Sequence, residues 1–358
     1  MKWVALGVGC LYTPEHTSMS ESKGIVGLTN IGNTCYGNAT LQALRHQVDL
    51  TIFLLQDKHT ELLKRKNPNE KTHLLHNYSQ LIRRLWTAES GTESTKEFWG
   101  AMIPAAIQAG FDQFRAPVPH DAHEFLCFLL DQFHEAMADE VTMTVRAPSD
   151  QDDTRQALEA WKRSFEAHYS PLVEIVFGLQ RRNMTCPSCK HSLNKWETFN
   201  TLKTTVPKQA EPVDLLQLLQ QDSCAEKIED YRCDGCKEKI TLEVDSKFWR
   251  LGSWVIIVLK RFDNRGHRIN TLVKVPLELQ FSSLFYEKSQ EPSAKDTYEL
   301  FATIHHHGSA GGGHYTAHAK HPVLGKWAYY DDESGTPIEG PPRLDASTYI
   351  VMYRRQTN

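Results

Sequence analysis

A turn rich in glycine and asparagine runs directly into a helical pattern near the start of the chain, and a cysteine lies at the junction. The turn covers residues 27–34, Cys35 follows it, and apolar residues then recur at helix-like spacing. The first turn of a helix carries unpaired backbone N–H groups and the positive end of the helix dipole, which favour a thiolate at Cys35. The side-chain amide of Asn30 is near enough in sequence to reach the same reacting atom. We therefore predict a nucleophilic cysteine and, at Asn30, an oxyanion-hole donor.

A structural role for the same residues is the alternative. Cys35 would then be a small buried apolar side chain, and the asparagines would only form the turn. The choice between the two interpretations depends on whether a histidine and a carboxylate are available elsewhere in the chain.

A glycine-rich loop near the other end of the chain supplies the histidine. Four glycines occur within residues 308–313, and His314 follows them at the start of a predicted strand. A phosphate-binding loop is excluded, because no Lys-Ser or Lys-Thr pair and no helix follow. His318 shares the strand face of His314 and is the competing base. The position at the junction of loop and strand, where a substrate can reach, favours His314.

The next predicted strand ends in two carboxylates, Asp331 and Asp332. Cysteine, histidine and aspartate in this order match the nucleophile, base and orienting carboxylate of a cysteine protease. If residues 314–319 and 326–331 form a hairpin that turns at Pro322 and Val323, His314 lies opposite Asp331. Asp332 would then face the other side of the strand and have the smaller effect on catalysis. A bulge near Gly325 would exchange the two carboxylates.

Four of the eight cysteines form two Cys-x-x-Cys pairs. They are Cys186, Cys189, Cys233 and Cys236. Each such pair is typical of a backbone turn around one side of a tetrahedral ion, so we predict one structural Zn²⁺ ion. The alternatives are four reduced cysteines without an ion, or His191 or Cys224 as a substitute ligand. A metal site instead of a disulfide framework favours a reducing compartment, the cytoplasm or the nucleus.

Charge and hydropathy exclude two classes of protein. The net charge is −4 with acidic and basic residues mixed, which argues against a nucleic-acid binder. A zinc-knuckle nucleic-acid protein would need basic residues near the cysteines, but Glu226, Glu229 and Asp230 oppose Arg181 and Arg182 there. No apolar stretch reaches the roughly 20 residues of a membrane helix, so we predict no membrane association.

Helical patterns precede strand patterns along the chain. The strongest helix begins at Asp121, and the half of the chain after the polar loop 145–156 is rich in β-branched and aromatic runs such as 249–259. His123 and Glu124 have a metal-ligand interpretation, but no second histidine lies four residues away. Segregated helices and antiparallel strands predict an α+β fold.

The chain resembles the ubiquitin-specific proteases, the cysteine peptidases that remove ubiquitin from proteins, over about residues 24–355. Besides the two cysteine pairs, the resemblance is carried by residues 27–36, 121–125, 259–262, 313–315 and 330–332. It implies a papain-like cysteine protease fold with a helical thumb, a palm and zinc-knuckle fingers. The implied single catalytic domain, 24–358, divides into a thumb at about 24–170, fingers at about 172–250 and a palm at about 251–355. Residues 1–23 are interpreted as a flexible N-terminal extension.

The resemblance also implies roles for single residues. Cys35 would be the nucleophile, His314 the base, Asp331 the orienting carboxylate and Asn30 the oxyanion donor. The ubiquitin tail would contact Asp121, Gly312, Gly313 and Tyr315, in a channel too narrow for side chains. Two residues depart from the family pattern. The family commonly has a glutamine two residues before the acidic Asp121, where this chain has Pro119-His120. Gly37 stands where a larger residue is usual, which predicts a helix weakened by about 1 kcal/mol.

These observations predict a thiol-dependent deubiquitinase that hydrolyses the bond after the C-terminal glycine of ubiquitin. Its expected partners are ubiquitin and ubiquitinated proteins, and the sequence leaves open whether an activating partner is required. The alternative is a catalytically weak or inactive ubiquitin-binding module of the same fold. Such modules typically lose the cysteine or the histidine, and this chain has both.

Overall fold

The computed structural model describes residues 23–115, 118–147, 152–224, 226–289, 291–309 and 311–356. The predicted N-terminal extension lies outside the described residues except for Lys23. Within the described ranges, no helix has both the length and the apolar character needed to cross a membrane.

Helices dominate the first half of the chain. They are α1 (Cys35–Arg45), α2 (Val48–Leu55), α3 (Lys58–Leu63), α4 (Glu70–Thr87), α5 (Lys96–Gln108), α6 (Ala122–Met137), α7 (Asp152–Phe165) and α8 (Leu172–Val176). Two short strands, β1 (Gly27–Leu28) and β2 (Thr92–Glu93), pair in parallel beside them. Asp121 caps α6 by accepting the backbone N–H of Glu124, as its place before the apolar pattern predicts.

Strands dominate the second half, with one further helix, α9 (Leu215–Ser223). The strands are β3 (Gly178–Thr185), β4 (Ser192–Phe199), β5 (Leu202–Thr205), β6 (Val213–Asp214), β7 (Lys227–Arg232), β8 (Lys239–Arg250), β9 (Trp254–Lys260), β10 (Val273–Lys274), β11 (Glu278–Gln280), β12 (Thr297–Ser309), β13 (Gly312–Lys320), β14 (Trp327–Asp331), β15 (Ser334–Ile338) and β16 (Thr348–Arg355). The α+β fold class predicted from the sequence is therefore confirmed. The predicted limits of the thumb, fingers and palm stay a prediction.

Two sheets organise this half. The smaller sheet has the antiparallel order β4-β3-β8-β7, and its two hairpin turns carry the two cysteine pairs. One of its faces packs against α7 through Trp161, Trp196 and Trp249. The larger sheet has the order β15-β14-β13-β12-β16-β9-β5, with β11 paired to β12.

The larger sheet is buried on both faces. Alternate residues such as Ala317, Ala319 and Ile304 face α1 in the main core, whereas residues such as Val351 and Tyr353 face a second core. Ala317 and Ala319, on the face of β13 toward α1, have small side chains, so the helix that carries Cys35 lies close against the strand that carries His314. The packing of α1 on this sheet thereby brings the two ends of the chain together.

The hairpin of β13 and β14 differs in register from the prediction. Ala317 lies opposite Tyr330 and His318 opposite Tyr329, so the predicted pairing of Tyr315 with Tyr330 is wrong by two residues. The turn between β13 and β14 lies further along the chain than predicted. The imidazole of His321 accepts backbone N–H groups inside this turn, and the backbone N–H of His321 donates to the carbonyl of Lys326 at 2.8 Å. A shift of two residues leaves every side chain on its predicted face.

Gly37 makes room for a neighbouring helix. A Cβ added at Gly37 would lie 2.5 Å from Cζ2 of Trp99 on α5, closer than real Cβ contacts come. The departure at Gly37 therefore has a packing reason, because Trp99 fills the space next to α1.

We predict that Gly37→Ala lowers the free energy of unfolding by about 1–3 kcal/mol through this overlap, although alanine favours an isolated helix by about 1 kcal/mol. Chemical denaturation measures the difference. Gly100→Ala is the matched control, because Gly100 is exposed within α5 and a Cβ there meets nothing within 4 Å. Gly100→Ala should raise the free energy of unfolding. Equal stabilisation by both substitutions would show that Trp99 moves aside without cost.

Candidate active site

Cys35 is the first residue of α1 and is 6% exposed. Burial raises the pKa of its thiol above the usual value, and the nearby charge of Asp332 acts in the same direction. The backbone N–H groups of Tyr315, Tyr36 and Cys35 itself lower the pKa but do not offset the burial. The helix start favours the thiolate, as predicted, but removal of the thiol from water outweighs this effect, so the net shift of the thiol pKa is upward.

Asn30 is held rigidly in the turn that leads to Cys35. Its Oδ1 accepts the backbone N–H of Gly32 at 2.9 Å and the backbone N–H and hydroxyl of Thr34 at 3.2 and 3.1 Å. Its Nδ2 donates one hydrogen to Oδ2 of Asp332 at 2.7 Å. These contacts fix which end of the amide carries nitrogen and leave the second Nδ2 hydrogen to donate to a bound substrate. This geometry fits the predicted oxyanion role, which stays a prediction.

His314 and Asp331 form the strongest polar contact of the site. Nε2 of His314 and Oδ1 of Asp331 are 2.6 Å apart, although the two residues lie on different strands. Their side chains are 45% and 40% exposed, so a substrate can reach them. Because Nε2 is bound to the carboxylate, Nδ1 is the nitrogen left for the thiol. Within the described residues no hydrogen bond joins His314 to Cys35, so proton transfer between them requires a side-chain movement.

The competing histidine, His318, takes no part in this contact. Its ring packs against the rings of His305 and Tyr329, with centroids 4.8 and 5.0 Å away. Burial lowers the pKa of His318 to about 4, so its imidazole is neutral at physiological pH. The structure thus brings His314, and not His318, to the carboxylate.

Asp332 faces the opposite way from Asp331 and binds the thumb. Its Oδ1 accepts Nδ2 of Asn38 at 2.7 Å, its Oδ2 accepts Asn30, and its backbone carbonyl accepts the N–H of Leu28 at 2.7 Å. A φ of 42° at Asp332 permits this reversal of direction at the end of β14. Asn38 was not among the residues predicted from sequence. The available signal was its position on α1 one turn after the cap residue, where it remains buried.

Two carboxylates and one imidazole of this site have the spacing of a metal site. Ligand atoms of His314, Asp331 and Asp332 lie within 4.8 Å of one another. However, His314 and Asp331 already bind each other, and both oxygens of Asp332 accept asparagine amides. The arrangement therefore fits an oriented base beside an oriented amide better than an ion site.

Two of the predicted tail-binding residues, Asp121 and Tyr315, are linked through Tyr349 beside the start of α6. Asp121 Oδ2 accepts the hydroxyl of Tyr349 at 2.7 Å, and the rings of Tyr349 and Tyr315 are 6.3 Å apart. A Cβ at Gly313 would lie 2.4 Å from Nε2 of His306, so the fold itself requires glycine there. A Cβ at Gly312 meets nothing within 4 Å. The roles of these residues toward a substrate stay predictions.

In the other departure from the family pattern, Pro119-His120, the histidine packs as an aromatic residue. Its ring contacts Tyr36 edge-on at 5.4 Å and Phe114 at 5.1 Å. The imidazole thereby supports the residue that follows Cys35.

The four predicted metal-ligating cysteines come together at the end of the smaller sheet. All four sulfurs lie within 4.8 Å of one another, with Cys186 and Cys236 3.9 Å apart and Cys189 and Cys233 3.6 Å apart. Sulfurs about 2.3 Å from a tetrahedral zinc are about 3.8 Å apart. The four cysteines are free thiols at the spacing that one ion requires.

The two cysteine turns have the same backbone conformation. The N–H of Lys190 donates to the carbonyl of Cys186, and the N–H of Lys237 donates to the carbonyl of Cys233. Both lysines have positive φ, 61° and 62°. A Cβ at Gly235 would lie 2.9 Å from Sγ of Cys189, so this glycine lets the turns close. These residues fit a metal ion without a substitute ligand.

The two substitute ligands considered from sequence lie outside this group of four. Cys224 donates to Asp245 at 3.6 Å, and His191 lies beside the turns without joining the group.

Residues 26–353 match the model of the family described as ubiquitin carboxyl-terminal hydrolase, and the chain belongs to that family. It is 26% identical to rat ubiquitin carboxyl-terminal hydrolase 2 over 355 residues, which cover 95% of this chain and 56% of the relative. It is 28% identical to the Drosophila melanogaster hydrolase Usp2 over 352 residues, which cover 96% of this chain and 36% of the relative. The chain thus spans about half or less of the length of these relatives.

Solved structures share the fold. A SAGA DUB module with Ubp8, bound to monoubiquitin, matches with a TM-score of 0.71 and 19% identity over 95% of this chain and 71% of that chain. The same module bound to ubiquitin aldehyde matches with a TM-score of 0.69 and 19% identity over the same shares of the two chains. The predicted resemblance and its fold are confirmed.

The geometry gives Asp332 a larger role than the sequence suggested, because it orients Asn30. We predict that Asn30→Ala and Asp332→Ala each lower kcat for hydrolysis of a ubiquitin C-terminal amide by about 10²-fold or more. The double variant should lose little more than the more damaging single variant, because both act through one amide.

Asp331→Ala is the comparison, since Asp331 binds His314 and does not bind Asn30. Steady-state kinetics of the single and double variants make the measurement. Fully multiplicative losses for Asn30→Ala and Asp332→Ala would show that Asp332 acts independently of Asn30.

Proposed function

We propose that this protein is a thiol-dependent deubiquitinase that hydrolyses the isopeptide or peptide bond after the C-terminal glycine of ubiquitin. The observation that carries the proposal is the 2.6 Å contact between His314 and Asp331 beside the helix that begins at Cys35. Nucleophile, base and carboxylate are all present, and a fixed asparagine amide faces the same region.

The proposed reaction begins with transfer of the Cys35 proton to Nδ1 of His314. The sulfur attacks the carbonyl carbon of the terminal glycine, and the oxygen of the tetrahedral intermediate receives hydrogen bonds from Nδ2 of Asn30 and the backbone N–H at the start of α1. His314 then returns its proton to the leaving lysine amine. A water molecule, deprotonated by His314, hydrolyses the resulting thioester and restores the thiol. Asp331 stabilises the imidazolium in each half of the reaction.

The raised pKa of Cys35 fits this sequence of steps. A buried thiol stays protonated until an imidazole accepts its proton within hydrogen-bond distance. Substrate binding would therefore activate the nucleophile by bringing His314 to it. This order would limit reaction of Cys35 with other electrophiles.

We propose that the ubiquitin tail lies in the cleft between the start of α6 and β13. Asp121 would attract the basic residues of the tail, and Gly312 and Gly313 would keep the channel narrow. The partners would be ubiquitin and ubiquitinated proteins. A metal site in place of a disulfide framework would fit a cytoplasmic or nuclear location.

The cysteine group would hold one zinc ion as a structural element. Cys186, Cys189, Cys233 and Cys236 would occupy all four positions of a tetrahedron, which leaves none for a substrate or water. The ion would supply only a cross-link between the two hairpin turns of the smaller sheet.

Cys35→Ala is expected to abolish hydrolysis of ubiquitin conjugates and to leave ubiquitin affinity nearly unchanged, because the thiol supplies chemistry and binding is spread over the cleft and the smaller sheet. Gel-based cleavage and calorimetric titration measure the two effects. Ubiquitin with a C-terminal thiol-reactive group should label the native protein at Cys35, as located by mass mapping. An inactive binding module would bind ubiquitin but give neither cleavage nor an adduct. Labelling at Cys127 would contradict the choice of nucleophile.

We predict that the native protein binds one zinc ion per chain and that Cys233→Ser loses this ion. The unfolding temperature of the variant should fall, because ion binding contributes folding free energy where the smaller sheet has little core. Elemental analysis and thermal unfolding give the two readouts. Cys224→Ser is the matched control, since Cys224 lies outside the group, and it should keep its zinc. Purified, unchelated native protein without zinc would contradict the proposal.

A further inference from the structure

We propose that Tyr329 is a positioning residue that holds Asp331 in the orientation required by His314. The inference rests on the proposed function and adds Tyr329 to the proposed group of Cys35, His314 and Asp331. The Tyr329 hydroxyl donates to Oδ2 of Asp331 at 3.3 Å, while Oδ1 of the same carboxylate binds Nε2 of His314 at 2.6 Å. Each oxygen of the carboxylate therefore has its own partner.

The second contact matters because Asp331 is not held by burial. Its side chain is 40% exposed, and the contact with His314 is the one ion pair that it makes among the described residues. A carboxylate with one fixed oxygen can still rotate about the bond from Cβ to Cγ. With both oxygens bound, rotation would break two hydrogen bonds, so the plane of the carboxylate is set before substrate binds.

Strand geometry places Tyr329 correctly for this contact. Tyr329 and Asp331 are two residues apart on β14 and so project from the same face of the sheet. Tyr329 lies opposite His318 on β13 and opposite Thr336 on β15, which leaves its side chain between two strands. The hydroxyl thus reaches forward along its own strand to the carboxylate.

The surroundings of the Tyr329 ring keep it in place and keep it a donor. The ring packs against His318 with centroids 5.0 Å apart, and His318 is neutral because burial lowers its pKa. Burial, together with the charge of Asp331, raises the pKa of the Tyr329 hydroxyl, so the oxygen retains its proton. A neutral neighbour and a protonated phenol suit a donor to a carboxylate.

The predicted effect falls on catalysis and not on binding. Tyr329 lies on the sheet face opposite to Tyr315, which is proposed to contact the tail, so loss of the Tyr329 hydroxyl would leave that proposed contact intact. Loss of its hydroxyl would let Asp331 sample orientations that do not support the imidazolium. A smaller fraction of bound substrate would then react, at unchanged affinity.

Tyr329→Phe is the test, because phenylalanine keeps the ring packing and removes only the hydroxyl. We expect kcat to fall by about three- to tenfold, the range given by one hydrogen bond of modest strength. KM and the affinity for ubiquitin should change by less than about twofold. Tyr286→Phe is the matched control, since it removes a hydroxyl bound to Asp153 at 2.8 Å, away from the site, and should leave kcat unchanged.

A double-mutant cycle with Asp331 separates positioning from a general structural effect. In an Asp331→Ala background, Tyr329→Phe should cause no further loss of kcat, because its target is gone. An unchanged kcat in Tyr329→Phe, or the same fold loss with and without Asp331, would overturn the inference. If the native protein cleaves ubiquitin and only these variant results fail, the proposed function stands and this inference alone is wrong. A native protein without hydrolytic activity would overturn both.

Discussion

The candidate active site depends on the hydrogen bonds of the Asp332 carboxylate, because they join the two halves of the molecule next to Cys35. It accepts Asn30 from the turn before Cys35 and Asn38 from the first turn of α1, each at 2.7 Å. The backbone around it is equally tight, since a Cβ at Gly27 would lie 2.0 Å from the carbonyl oxygen of Glu333. The end of β14 therefore lies directly against the segment that leads to the nucleophile. Movement of either half would displace the amide that is proposed to bind the oxyanion.

The same close packing determines the chemistry of the thiol. Helix α1 lies on β13 through small side chains such as Ala317 and Ala319, and Cys35 is buried at the end of this contact. Burial raises the thiol pKa, whereas the N–H groups at the helix start can act strongly only once negative charge develops. In the proposed reaction the site would stabilise the sulfur anion and the oxyanion as they form, whereas before reaction burial favours the protonated thiol.

Residue type and order along the chain were enough to predict several features, and three-dimensional register was needed for the others. Cys35, His314, Asp331 and the cysteine pairs stand in local patterns that limit their chemistry. The structure joins His314 to Asp331 and groups the four cysteines, and it places the Cys35 thiol at the backbone N–H of Tyr315, the residue after His314.

The features that sequence reasoning missed depend on contacts between distant segments. The register of β13 and β14 depends on His321, whose imidazole accepts two backbone N–H groups in the turn. Nothing in the residue type of His321 predicts this role. The pKa of Cys35 depends on burial under another strand. Asn38 and Tyr329 gain their roles only because register places them beside Asp332 and Asp331.

Alternation along β14 explains how one short strand serves both sides of the site. Tyr329 and Asp331 project toward His314, while Tyr330 and Asp332 project toward the thumb, where the hydroxyl of Tyr330 accepts Nη2 of Arg45 at 3.1 Å. One face thereby orients His314, the proposed base, and the other orients Asn30, the proposed oxyanion donor. The two carboxylates are adjacent in sequence, yet they have no common hydrogen-bond partner among the described residues. A register shift of two residues preserves this division of roles, whereas a shift of one would exchange the faces and separate each carboxylate from its partner. The parity of the register, more than its exact value, is therefore what the catalytic arrangement requires.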